Sequence, residues 1–526
     1  MPPMGWLPIR WISHSLILTV FAGFALPRSA GAQGTAYEQL QAFSGVLSHV
    51  RLNYVDSVDF TSLVQAAIRG TLQSLDPHSR YVTRREFELR TQWDRGELAG
   101  PGLRLENSQR GVTVLSATGP AGKAGVQAGD RLLRLNGTTV AGINAEEVEV
   151  RLLGEKGSKI RLTLERGNPL TPDTLSITLK RERLDHVVVS DPRLVGPETG
   201  YIRLIEFTPP AAKALEKGIK KARDRGAKQL ILDLRANPGG DLQSMIDIAS
   251  MFLPRNVEVF HTQSRKKTVS DAIGTEKDGE FAKLPLLLLI DAGSASAAEI
   301  LAGSFQDQDR ALILGRRSFG KALIQTSLAL PNADMVLLTT ARIVTPSGRV
   351  IQRRYSGIRP HEYLEQAGRG GVEEDTLTVY HTAGGRQVRG GGGILPDVML
   401  PAPPEIPTWF TVATDSGYDA VADSVAKLLA SEPSTRATWM TDTASWDSRL
   451  VTPFIGRVRR GLGISVALDA ALRARLGLLL AERAAFVAWG AAAAEELSIR
   501  HDRDIQAAVS YFPRSAELLR RTSSGR

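Results

Sequence analysis

The run Leu230-Ile231-Leu232-Asp233-Leu234, followed at once by Arg235-Ala236-Asn237-Pro238-Gly239-Gly240, decides the fold class of this chain. Apolar residues with almost no polar alternation read as a strand buried on both faces, the pattern of a parallel or mixed sheet covered by helices. Upstream, Gly200-Tyr201-Ile202-Arg203-Leu204 gives another strand, and Ala211 to Arg225 an amphipathic helix. Downstream come a helix from Leu242 to Leu253 and the strand Leu286 to Ile290. Residues 186–402 are therefore expected to form an α/β core, in which reactive groups gather in loops beyond the strand ends. Three loops stand out. In 235–240, paired glycines let backbone approach a bound group, although a plain strand-to-helix turn would look the same. Gly293-Ser294-Ala295-Ser296-Ala297-Ala298-Glu299-Ile300 follows a buried strand and opens a helix, where a serine either caps the helix or presents its hydroxyl beside free amides. Phe319-Gly320-Lys321 lies on a turn after the strand Ala311 to Leu314, an ordinary place for a solvated lysine.

Working outward, 526 residues allow three or four folding units, and 42% hydrophobic with 23% charged residues is an ordinary globular composition. The net charge of +9 is spread along the chain without a basic block, so no nucleic-acid partner is expected. Zero cysteines exclude disulfides, thiolate metal sites and a cysteine nucleophile. Arg10, the apolar run Leu16 to Leu26 and Ala30-Gly31-Ala32 read as a secretory signal peptide over 1–32, too short for the ~20 residues of a spanning helix. The mature chain is expected in the periplasm or cell envelope of a bacterium, without a transmembrane span. Residues 36–90 read as a helical region ending near the turn Leu75-Asp76-Pro77-His78-Ser79, where His78 is taken as structural. Residues 91–185 read as short alternating strands with one helix, Ala145 to Leu153, and an Asn136-Gly137 hairpin. Such a module can bind an extended peptide by lending it a sheet edge. The polar segment 353–389 reads as a surface insertion. Beyond the linker Pro401-Ala402-Pro403-Pro404, residues 405–526 form a C-terminal helical region. There Leu472, Leu476, Leu479, Leu480, Ala484, Val487 and Ala491 suggest one long amphipathic helix, serving as a cap, an oligomerisation arm or a dock for a regulatory partner.

Two sets of residues carry a family resemblance. Gly119-Pro120-Ala121, Ala124-Gly125-Val126, Gly129-Asp130 and Asn136-Gly137 resemble the PDZ domain of bacterial proteases. The order Asn-Pro-Gly-Gly, Gly-Ser-Ala-Ser-Ala-x-Glu-Ile, Phe-Gly-Lys resembles the C-terminal processing peptidases, the tail-specific serine proteases of family S41. The resemblance runs from about Tyr37 to Pro401 and includes Thr345-Pro346-Ser347-Gly348-Arg349 and Gly393-Ile394-Leu395-Pro396-Asp397. It implies a ClpP/crotonase-like core within an α/β (α+β) multidomain chain, with Ser296 as nucleophile, Lys321 as base and Gln325 as an accessory group. It also implies that Gly100, Gly102, Leu103 and Leu105 bind a substrate terminus. Pro101 departs from the PDZ pattern by removing one amide donor.

The chemistry is also readable from the residues. A serine hydroxyl needs a neighbour to take its proton, and the eight histidines form no Ser/His/Asp order with Ser296. A lysine can serve only as the neutral amine, which calls for a pKa lowered from ~10.4 by apolar surroundings such as Ala322-Leu323-Ile324. Gln325 could orient that amine without adding charge. The amides of Ala297 and of Gly239 or Gly240 are candidates for an oxyanion hole. No metal or organic cofactor is required. The expected substrates are proteins or peptides with accessible C-terminal tails. A non-catalytic PDZ adaptor on a protease scaffold is the alternative; a carbohydrate- or lipid-binding protein is more distant, given 6% aromatic residues.

Overall fold

The computed structural model describes residues 35–524, apart from 95–98, 109–110, 128, 144, 167–172, 184–186, 266–271, 359–361, 364–377, 416–419, 432–433 and 464–466. The signal peptide read over 1–32 lies outside them. Residues up to Ala67 form one compact unit and Ile68 onward a second. In the first, the helix Ala36–Asn53 starts at a Thr35/Glu38 capping box and has no buried residue. The helix Phe60–Gln73 begins there and carries on into the second unit.

In the second unit, a six-stranded sheet runs in the order Val398–Met399, Leu312–Gly315, Leu286–Ile290, Gln229–Asp233, Thr199–Arg203, Arg193–Leu194. Every pairing is parallel except the last. The continuous apolar runs have a direct cause: each strand feeds two cores in alternation. Leu230, Leu232, Leu286, Leu288, Ile290 and Ile313 point into a core built with the helices Ala211–Asp224, Leu242–Phe252 and Ala297–Asp307. Ile231, Leu287, Leu289, Leu312 and Leu314 point the other way, against Ile505, Ala508 and Phe512. The second face is thus covered by the C-terminal helices Arg503–Val509 and Phe512–Ser524.

The C-terminal region differs from the single long helix expected. The helix Ala470–Trp489 stops at Gly490, and Ala491 begins the separate helix Ala491–His501. With Ala420–Ser431 and Thr452–Leu462 these pack around Trp439, Trp446, Leu450 and Phe454 into a core of their own. The segment 353–389 is not simply a surface insertion either. Arg353 and Tyr363 are buried, Arg353 stacks over the Phe319 and Tyr363 rings at 4.9 and 4.1 Å to their centroids, and Arg386 pairs with Asp309 and Asp397. The PDZ module has the sheet order Leu103–Ser108, Gly111–Ala117, Arg131–Leu135, Lys159–Arg166, Asp173–Lys180, which leaves Leu103–Ser108 as an edge strand facing the helix Ala145–Leu152. No helix among the described residues is long and apolar enough to cross a membrane.

Candidate active site

The three loops singled out in the sequence follow the C-terminal ends of three adjacent parallel strands, Gln229–Asp233, Leu286–Ile290 and Leu312–Gly315. Ser296 stands at the N-cap of the buried helix Ala297–Asp307 with φ 55° and ψ −119°. That is a costly conformation for a residue with a side chain, and it is held by its surroundings. The Ser296 N–H donates to Glu299 Oε2 at 3.0 Å, and Ala295 N–H donates to Asn237 O at 2.9 Å. Asn237 is fully buried and clamps the first loop, donating from its amide to Leu204 O and accepting from Gly239 N–H, both at 2.8 Å.

Gly239 lies so close to the nucleophile loop that a Cβ there would meet Ser296 Cβ at 2.8 Å and Ala297 N at 2.9 Å. Only glycine fits, the more so at φ 97°. Its N–H is committed to Asn237, which removes it as an oxyanion donor in this conformation. Gly240 is held by a bridge to Phe207 that uses the neighbouring Gly239 O and Asp241 N–H. Among the described residues, the N–H groups of Gly240 and Ala297 have no hydrogen-bond acceptor.

The residue that joins the nucleophile loop to the lysine loop is one to which the sequence reading gave no role. Glu299 is fully buried and accepts from Ser296 N–H, Ser318 Oγ, Gly320 N–H and Lys321 N–H at 3.0, 2.5, 2.6 and 2.8 Å. Burial pushes its carboxyl up to about 7, against the pull of the Ser318 hydroxyl and the three amides. An ionisable residue inside the apolar run Ala297-Ala298-Glu299-Ile300-Leu301 was the available sign.

Lys321 is half-buried, next to the buried Ala322 and Leu323 and to Ile324, which packs on the core. Gln325 follows a register shift between Ile324 and Gln325 in the strand Leu323–Ala329, a bulge of the kind that re-aims a side chain. Its Nε2 donates to His78 O. His78 therefore acts through its backbone, while its ring meets the buried Tyr363 hydroxyl at 3.2 Å. Among the described residues no hydrogen bond joins the side chains of Ser296, Lys321 and Gln325. The structure brings their loops together through Glu299 rather than their functional atoms.

At the end of the neighbouring strand, the buried Asp233 accepts from Tyr201 Oη at 2.8 Å and pairs with Arg235 at 2.6 Å. Burial works against the Arg235 charge, but Asp233 and Asp502 outweigh it and raise the guanidinium pKa.

The PDZ residues are placed differently from expectation. Gly100 N–H is bound to Glu182 O at 3.1 Å, so it is not a free carboxylate donor. Leu103 and Leu105 are buried in the module's core. Leu105 N–H donates to Glu149 Oε1 at 2.7 Å, and Arg104 faces the same carboxylate at 3.8 Å. Gly102 takes φ 83° and accepts from Thr118 N–H through its carbonyl.

A parallel sheet whose strand-end loops hold a serine, a lysine and paired glycines, beside a PDZ module, defines a serine peptidase. Residues 198–364 match Peptidase family S41, and residues 111–166 match the PDZ domain. The carboxy-terminal-processing protease of Bartonella bacilliformis is 35% identical over 336 residues, covering 63% of this chain and 76% of that protein. The carboxyl-terminal-processing protease of a Synechocystis species is 34% identical over 307 residues, covering 57% and 70%. The solved photosystem II D1 C-terminal processing protease is 26% identical, with a TM-score of 0.44 over 64% of this chain and 98% of that one. The chain belongs to the S41 family of carboxy-terminal-processing proteases.

Proposed function

We propose that this chain is an exported endopeptidase that cuts protein substrates with a Ser296–Lys321 dyad, choosing them by their C-terminal tails through the PDZ module. The observation that carries the dyad is Glu299, which binds the backbone N–H groups of both residues at 3.0 and 2.8 Å and so ties nucleophile and base to one buried anchor. In the forward step Ser296 Oγ attacks the scissile carbonyl carbon as its proton passes to the neutral Lys321 amine. The oxyanion accepts from the N–H groups of Ala297 and Gly240. The C–N bond then breaks, Lys321 returns the proton to the leaving amine, and an acyl-Ser296 ester remains. Water gives a proton to Lys321, attacks the ester and releases the new C-terminus, restoring the Ser296 hydroxyl. Gln325, held by His78 O through its Nε2, has its carbonyl oxygen free to orient the lysine amine. Tail selection is supported by the edge strand Leu103–Ser108, and export by the leader over 1–32.

The test is hydrolysis of an unstructured protein by wild type, Ser296→Ala and Lys321→Ala. The expected result is turnover by wild type only. A variant that folds and keeps more than roughly 5% of wild-type kcat would sink the dyad, since losing either member of such a pair costs orders of magnitude.

A further inference from the structure

The C-terminal helical region lies beyond the family match over 198–364, yet it reaches the strand ends that lead into the catalytic loops. Asp502 caps the helix Arg503–Val509, accepting from Asp504 N–H and Ile505 N–H. Ile505 and Ala508 are buried against the sheet, and Ser515 Oγ donates to Leu286 O at 2.9 Å, so the acids sit on an anchored element. Arg235 pairs with Asp502 at 2.8 Å and with Asp504 at 2.9 Å. Arg316 forks onto the two oxygens of the same Asp504 and donates to Pro401 O at 3.1 Å.

The positions of these arginines give the pairs their meaning. Arg235 opens the loop that ends in Gly240, and Arg316 follows the strand Leu312–Gly315 into the loop that ends in Lys321. The strands behind them flank Leu286–Ile290, the strand that leads to Ser296. Asp504 therefore bridges the two neighbours of the nucleophile strand at their reactive ends. The side chains of Arg235, Arg316 and Asp504 are only 15, 20 and 11% exposed, so the charges are poorly screened by solvent. Without the Asp504 charge, two guanidinium groups converge on a neutral side chain. Arg235 would still hold Asp233 and Asp502, whereas Arg316 would keep only the Pro401 carbonyl among the described residues.

We infer that Asp504, assisted by Asp502, is a positioning residue of the peptidase: the C-terminal region holds the oxyanion loop and the lysine loop in register with Ser296 through Arg235 and Arg316. This rests on the Ser296–Lys321 reading. Misplacement of a catalytic group by about 1 Å can cost as much as 10²-fold in rate. Asp504→Asn should lower kcat about tenfold with KM changed less than about twofold, and the Asp502→Asn/Asp504→Asn pair about a hundredfold. Asp504→Glu, which keeps the charge, should recover most of the loss. Asp447→Asn removes the Arg473 pair elsewhere in the same region and should leave kcat unchanged.

The experiment measures kcat and KM on a fluorogenic peptide, the labelling rate of Ser296 by a fluorophosphonate, and near-ultraviolet circular dichroism, all on the full chain. Support is a fall in kcat and labelling rate in folded Asp504→Asn, with recovery in Asp504→Glu. Should Asp504→Asn fail to fold, Arg316→Lys, which keeps the charge and loses the fork, carries the same expected fall. Wild-type kcat in the folded variant, or a loss confined to KM, overturns the inference. Equal labelling of wild type and Ser296→Ala removes the dyad itself, a distinguishable failure that takes this inference with it.

Discussion

The protease core and the PDZ module both have strand ends and edges in their sheet order, but they hold the neighbouring backbone groups in opposite ways. In the core, buried side chains bind the loops from behind: Glu299 gathers the lysine and serine loops, and Asn237 clamps the glycine loop. The N–H groups of Ala297 and Gly240 are left without acceptors. In the PDZ module the groups a substrate tail would use are already taken, Gly100 N–H by Glu182 and Leu105 N–H by Glu149. Preorganised donors favour chemistry, since they need no rearrangement when charge develops. Donors closed by the module's own residues make binding depend on displacement, which weakens a tail by what it must break.

The largest way to break this comparison is at Glu299. Glu299→Gln keeps the shape but offers one oxygen and an NH2 group to four donors, leaving two of them facing hydrogens. Kcat should fall at least about a hundredfold, with a stability loss of about 2–4 kcal/mol. A folded variant with near wild-type kcat would show that the loops are held by something else. Next comes Glu149→Ala, which frees Leu105 N–H. It should tighten binding of a peptide with an apolar C-terminus about three- to tenfold by calorimetry, with no change in kcat on a peptide whose terminus is amidated. Unchanged or weaker binding would mean that the edge strand is not the tail site.

Of similar size is Gln325→Ala, expected to cost about three- to tenfold in kcat, because an orienting group contributes less than the base it holds. A loss as large as that of Lys321→Ala would make Gln325 a member of the reacting set.

A pH measurement sharpens the same contrast. With its folded-state pKa raised from 4.5 to about 7, Glu299 binds its proton more tightly folded than unfolded. Its contribution is therefore fully present below about pH 4.5 and lost as pH rises through about 7, by up to about 3 kcal/mol. Denaturant unfolding between pH 5 and 7.5 should show that decline in wild type and not in Glu299→Gln. Equal slopes would assign the decline to other groups.

Much of this was legible in the sequence because apolar strand runs and ordered loop motifs are local properties. The alternation that makes Leu286 and Leu287 face different cores follows from the period of a strand. What covers the second face does not, since Ile505 and Phe512 lie more than two hundred residues further along the chain. Glu299, Arg235 and Asp504 were hidden for the same reason: a charged residue shows its partners only after folding. The PDZ loop misled because its glycine pattern says nothing of whether Glu182 returns to pair with Gly100. The end of the helix at Gly490 was masked by apolar spacing that continues across it.

The most direct test of the central claim is to label the protein with a fluorophosphonate and locate the adduct by mass spectrometry. The account predicts one adduct per chain on the peptide containing Ser296, none there in Ser296→Ala, and labelling slowed by orders of magnitude in Lys321→Ala. An adduct on another serine, or wild-type labelling in Lys321→Ala, would contradict it.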